Sequence, residues 1–254
     1  MTMTKNKALG LYLAGAFGQM ILVCTVVFFL RRLGLKLDYT TPSGMVAIAV
    51  GGISTALWGA ILSVKYRGIK AKTIFFDFFR FKQNYKDYLL LILFLFLDFL
   101  PVFFGGGIEI AVWYLPIVLF LKALVFGGIE EIGWRYFFQP VLQKKINYFF
   151  ATLLTFIAWG IWHFLYFYVE GSLSSISVLP FLLGLLTNSF ILSALFVKSK
   201  NLWMCVLAHS LINVFSQLAL GENMILSFVC KALIVAIAIM VGMKEKGSYI
   251  SDVG

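Results

Sequence analysis

Six side chains in this sequence have the types and spacing to do chemistry together. Glu130, Glu131 and Arg135 lie in "GGIEEIGWRYFFQPVL" (127–142), His163 in "FIAWGIWHFLYF" (156–167), and His209 with Asn213 in "VLAHSLINVFSQ" (206–217). The two histidines are the whole complement of the chain. On a helix Glu131 and Arg135 form an i,i+4 pair on one face, while Glu130 points about 100° away, on the side of Trp134 and Phe137. Arg135 can neutralise and orient Glu131, which leaves Glu130 free to act in a cavity. Glu130, helped by His163, can take a proton from water so that hydroxide attacks a peptide carbonyl. His209 and Asn213, on one face at i,i+4, can donate hydrogen bonds to the oxyanion that forms. That is peptide hydrolysis without a covalent intermediate. The chain has neither a Gly-x-Ser-x-Gly elbow nor a His-Glu-x-x-His helix. Two histidines and a carboxylate also suit catalytic zinc, so a Glu130/His163/His209 metal site is the alternative, and the expectation is no metal and no other cofactor.

The elements that must carry these groups are set by composition. Hydrophobic residues make up 61% of 254 positions and charged residues 13%, with mean hydropathy +0.96; a soluble domain is roughly half apolar and about a quarter charged. The fold class is therefore all-α, a polytopic integral membrane protein. Apolar stretches fall near 8–30, 44–64, 88–104, 109–127, 148–169, 176–197, 202–219 and 224–242, which predicts about eight transmembrane helices around an intramembrane cavity. The run from Ala8 ends in Arg31-Arg32 without a small-residue cleavage pattern, so it reads as a retained span. A single membrane domain is expected over 1–254: N-terminal helices with a basic loop over 65–87, a core over 106–220, and a last helix and tail over 221–254. Cys24, Cys205 and Cys230 fall in apolar runs without paired spacing and read as small core residues.

Fifteen of the 21 lysines and arginines lie on one set of alternating ends: Lys5 and Lys7, seven between Lys65 and Lys86, Lys144 and Lys145, Lys198 and Lys200, Lys244 and Lys246. The other set has Arg31, Arg32 and Lys36. The bias places both termini in the cytoplasm and accounts for most of the +10 net charge without a nucleic-acid partner. At ~1.5 Å per residue from the cytoplasmic ends, Glu130 lies at roughly 21 Å, His163 at about 22 Å, Asn213 at about 20 Å and His209 at roughly 14 Å, so one buried cavity can hold all four. A charge at such depth costs several kcal/mol unless it faces protein, water or a partner, which turns Glu130, Glu131 and Arg135 inward.

"EEIGWR" fits Glu-Glu-x-x-x-Arg, "WGIWH" fits Phe-x-x-x-His with Trp159 in place of phenylalanine, and "HSLIN" fits His-x-x-x-Asn. These motifs, their order and their placement in late spans resemble the CAAX protease and bacteriocin-processing family, also called the Abi family, over roughly residues 110–220. The resemblance implies an intramembrane glutamic endopeptidase with Glu130 as base, His163 as its helper, His209 and Asn213 as oxyanion hole, and Glu131, Arg135 and Trp159 as supports. It also implies membrane lipids as surroundings and an apolar, leader or lipidated peptide as substrate, in bacteriocin immunity, peptide processing or CAAX-type cleavage. A catalytically silent scaffold is the second reading and a proton-coupled transporter the third.

Overall fold

The computed structural model describes residues 4–244; Lys246 and the rest of the tail lie outside them. The chain is an all-α, multi-pass membrane protein, and each of the eight apolar stretches is helical over at least part of its length. Five helical stretches are long and apolar enough to cross a membrane: Lys5–Arg32 (α1), Pro42–Arg67, Tyr148–Glu170 (α9), Val178–Ser199 (α10) and Met224–Lys244 (α12). Pro42–Arg67 is two helices, α2 (Pro42–Gly52) and α3 (Ser54–Arg67), joined at Ile53. Tyr85–Phe103 (α5) carries Lys86, Asp87 and Asp98. Leu202–Leu218 (α11) is shorter, and Leu115–Phe126 (α6) spans only 12 residues.

Local chemistry sets these boundaries. Thr4, Thr41, Asn84, Asn147 and Asn201 precede α1, α2, α5, α9 and α11, and each side chain accepts a backbone N–H from the first turn of its helix. Gly171, at φ +88°, ends α9 in the left-handed conformation that costs glycine nothing. Arg31 then donates to the carbonyls of Tyr168, Val169 and Leu37, which satisfies the end of α9 and ties it to the end of α1. The span expected from residue 109 begins only at Leu115. Gly107–Ile108 (β1) pairs antiparallel with Ala219–Gly221 (β2), Glu109 donates its N–H to the Leu218 carbonyl, and residues 111–114 bend and turn before the helix. Ala71–Phe78 (α4), in the basic loop, is amphipathic: Ile74 and Phe78 are buried, while Phe75, Phe76 and Phe79 are exposed.

The stretch 127–143 is a helix only in pieces. A 3-10 turn (Gly128–Glu130) leads to one α turn (Glu131–Gly133, α7), a π turn (Trp134–Phe138) and a short helix (Gln139–Gln143, α8). Pro116 sits in the first turn of α6, where a missing N–H costs nothing, and Pro140 in the first turn of α8. Pro140 cannot donate to the carbonyl of Tyr136, and the Arg67 guanidinium donates to that oxygen in its place. Gly133–Leu142, Ser189–Val197 of α10 and most of Asn201–Ser210 are buried, so this end of the molecule is solid core. α3 meets α7 backbone to backbone: a Cβ on Gly59 would lie 2.5 Å from Gly133 Cα, and one on Gly133 would lie 2.4 Å from the Thr55 carbonyl oxygen. Gly59→Leu is therefore expected to lower stability by at least about 1–3 kcal/mol through overpacking, measured as a loss of thermal stability in detergent, whereas Gly10→Leu, with nothing within 4 Å of its Cβ, should not.

Candidate active site

The broken stretch places Glu130 at the end of its 3-10 turn and Glu131 at the start of α7, so the adjacent carboxylates diverge. Both are buried, as are Arg135, Trp159 and His209. Glu130 Oε2 accepts the indole N–H of Trp159 at 2.8 Å. Among the described residues no other hydrogen-bond donor reaches Glu130, which leaves Oε1 for a small molecule in the cavity. Glu131 pairs with Arg135 Nε at 3.5 Å, the i,i+4 partner expected from the spacing, but its closer contact is His209 Nδ1 at 2.7 Å from Oε1. The picture of Glu131 and Arg135 as a self-contained pair is thus corrected: Glu131 serves two cations or donors, and Arg135 also donates to Ser189 Oγ at 3.3 Å and stacks over the Trp159 ring at 4.3 Å.

His163 Nδ1 lies 2.9 Å from the carbonyl oxygen of Trp159 one turn earlier. A carbonyl only accepts, so the proton sits on Nδ1, and in the neutral ring Nε2 carries a lone pair. His209 differs. With its Nδ1–H directed at Glu131, Nε2 donates only when the ring is an imidazolium. Asn213 stands one turn further along α11, and both its Nδ2 and His209 Nε2 converge on Gly127: a Cβ there would lie 2.6 Å from the first and 3.1 Å from the second. The glycine that breaks α6 from the 3-10 turn also leaves the room these two nitrogens occupy.

Glu130, His163, His209 and Asn213 line one cavity of about 290 Å³, with Lys122, Phe126, Tyr166, Glu170, Phe181 and Gln217 among its other walls. Glu131, Arg135 and Trp159 stand behind it. Motif spacing pointed to none of Lys122, Glu170 or Gln217. Glu170 and Gln217 were nevertheless traceable as i+7 from His163 and i+4 from Asn213, on the same helix faces. For the zinc alternative, among the described residues no group of three or more His, Cys, Asp and Glu is placed to hold an ion as the side chains stand.

With this geometry in view, residues 111–215 match the family model of the Rce1-like type II CAAX prenyl endopeptidases. This segment is Rce1-like. It contains Glu130, Glu131, Arg135, Trp159, His163, His209 and Asn213. Over 123 residues the chain is 32% identical to CAAX prenyl protease 2 of Methanococcus maripaludis, covering 45% of each protein. Over 100 residues it is 27% identical to YdiL of Bacillus subtilis, named as a candidate membrane peptidase, covering 39% of this chain and 36% of that one. The matches therefore span less than half the length of either relative.

Removing Arg135 alone leaves the buried Glu131 short of a positive partner. Arg135→Met should cost about 3–5 kcal/mol, and Glu131→Gln combined with Arg135→Met should cost less than the single change, because no uncompensated charge remains. Thermal unfolding of the purified variants in detergent measures both.

Proposed function

We propose that this chain is an intramembrane endopeptidase that hydrolyses a peptide bond with water activated by Glu130. The observation that carries the reading is the convergence of Glu130, His163, His209 and Asn213 on one intramembrane cavity. A water held between Glu130 Oε1 and His163 Nε2 gives one hydrogen to each acceptor. As its oxygen bonds to the peptide carbonyl carbon, a proton passes to Glu130, and the carbonyl oxygen becomes an oxyanion that accepts from His209 Nε2 and Asn213 Nδ2. The tetrahedral adduct collapses by breaking the C–N bond, and Glu130 returns the proton to the leaving amine. The products are a carboxylic acid and an amine, and the chain is unchanged. Glu131 acts by orienting His209 and standing beside its imidazolium form. Trp159 fixes the second oxygen of Glu130 and so decides which one faces the water.

No step needs a metal, and both termini lie in the cytoplasm on the charge bias of the loops. The substrate is a membrane-associated peptide, in leader or bacteriocin-type processing or in CAAX-type cleavage.

The test is cleavage of membrane peptides by the purified protein in liposomes, followed by mass spectrometry of the products. Wild type should cleave one peptide bond and go on doing so with a chelator present. His163→Ala should lower the rate by about 10²–10⁴-fold and Asn213→Ala by about 10²–10³-fold. Gly127→Ala should also cut it, since the new methyl displaces the Asn213 amide. Undiminished cleavage by His163→Ala and Asn213→Ala would overturn the mechanism.

A further inference from the structure

The walls of the cavity lie towards one end of the helices that build it. From His163, α9 runs about 10 Å to its last residue, Glu170, but about 22 Å back to Tyr148; from Asn213, α11 runs roughly 8 Å to Leu218 and about 17 Å back to Leu202. Glu170 and Gln217, in the final turns of α9 and α11, line the cavity, and so does Phe181 in the first turn of α10. Gln217 and Lys122 are exposed. At the opposite ends of the same helices the space is filled: Trp134, Phe137, Leu192, Leu195, Leu202 and Met204 are all fully buried.

The charge bias says which end is which. The filled end carries the lysines and arginines of the 65–86 loop, Lys144, Lys145, Lys198 and Lys200. The open end has Arg31, Arg32 and Lys36 on its connections. Arg31 is spent on carbonyls at the end of α9, and Lys36 stands 3.6 Å from Asp38. Short loops rich in Lys and Arg stay on the cytoplasmic side.

We infer that the cavity opens on the extracytoplasmic side of the membrane, so that its substrate is a peptide presented at the outer face and not a cytoplasmic chain end. The side of opening stands independently of the chemistry; the substrate class rests on the peptidase reading. A peptide entering from outside meets Lys122, Glu170 and Gln217 first and reaches Glu130 and His163 beyond them.

Single cysteines answer the question whether or not any cleavage is detected. Gln217→Cys and Glu170→Cys report on the mouth and Lys144→Cys on the filled end, each introduced with Cys24, Cys205 and Cys230 changed to alanine. A membrane-impermeant maleimide is applied to intact bacterial cells expressing the protein and to inverted vesicles from them. Labelling of Gln217→Cys and Glu170→Cys in intact cells, with Lys144→Cys labelled only in inverted vesicles, is the expected result. Labelling of the two mouth cysteines only in inverted vesicles overturns the inference, and so does their protection in both preparations while Lys144→Cys reacts. If the alanine background does not fold, the same cysteines are scored as labelling above that of the parent protein. Failure of this test with cleavage intact leaves the peptidase standing; the converse leaves the orientation standing.

Discussion

Four ionisable side chains packed together at membrane depth constrain everything around them. Glu130, Glu131, Arg135 and His209 are all buried, in a setting where an isolated charge is costly. The solution is mutual: Arg135 and His209 both approach Glu131, and the Trp159 indole donates to Glu130 while its face receives the Arg135 guanidinium. Trp159 touches both Glu130 and Arg135, and its ring meets His163 and His209 edge-on. The arrangement is asymmetric in a useful way. Glu131 is enclosed by its partners, with Oε1 on His209 and Oε2 facing Arg135 at 3.5 Å, and Glu130 keeps one oxygen for the cavity.

The irregular backbone follows from the same requirement. A straight helix through 115–143 would carry both glutamates and Arg135 at fixed angles of roughly 100° per residue, whereas the site needs Glu130 beside Trp159 and Glu131 beside His209. Gly127 breaks the helix where His209 and Asn213 need space, and Gly133 lets α7 approach Gly59 of α3. The π turn lies just ahead of Pro140, and Arg67 takes the carbonyl that the proline leaves free. π turns of this kind recur at functional sites because they re-aim side chains without ending a helix.

Much of this was legible in the sequence, for physical reasons that also explain what was not. The bilayer demands apolar stretches, so each of the eight helical regions announced itself by hydropathy. The start of α6 did not, because residues 109–114 are apolar enough to span but follow the strand Gly107–Ile108, which pairs with Ala219–Gly221, and bend and turn before the helix begins. The i,i+4 pairing of Glu131 with Arg135 could be read from spacing. The tighter contact of Glu131 with His209 could not, since it joins residues 78 apart. Trp159 stands where the motif has phenylalanine, and its N–H, which phenylalanine lacks, is the donor that holds Glu130. Straight-helix depth put His209 shallower than its partners, yet its Nε2 and Asn213 Nδ2 reach the same glycine because side-chain length makes up the difference.

The division of labour between the adjacent glutamates is the centre of this account, and Glu130→Gln tests it most directly. The amide keeps an oxygen for the Trp159 N–H and removes the base, so the purified variant in liposomes should match wild type in thermal stability while peptide cleavage falls by about 10²–10⁴-fold. Wild-type cleavage by Glu130→Gln at equal protein would contradict the account.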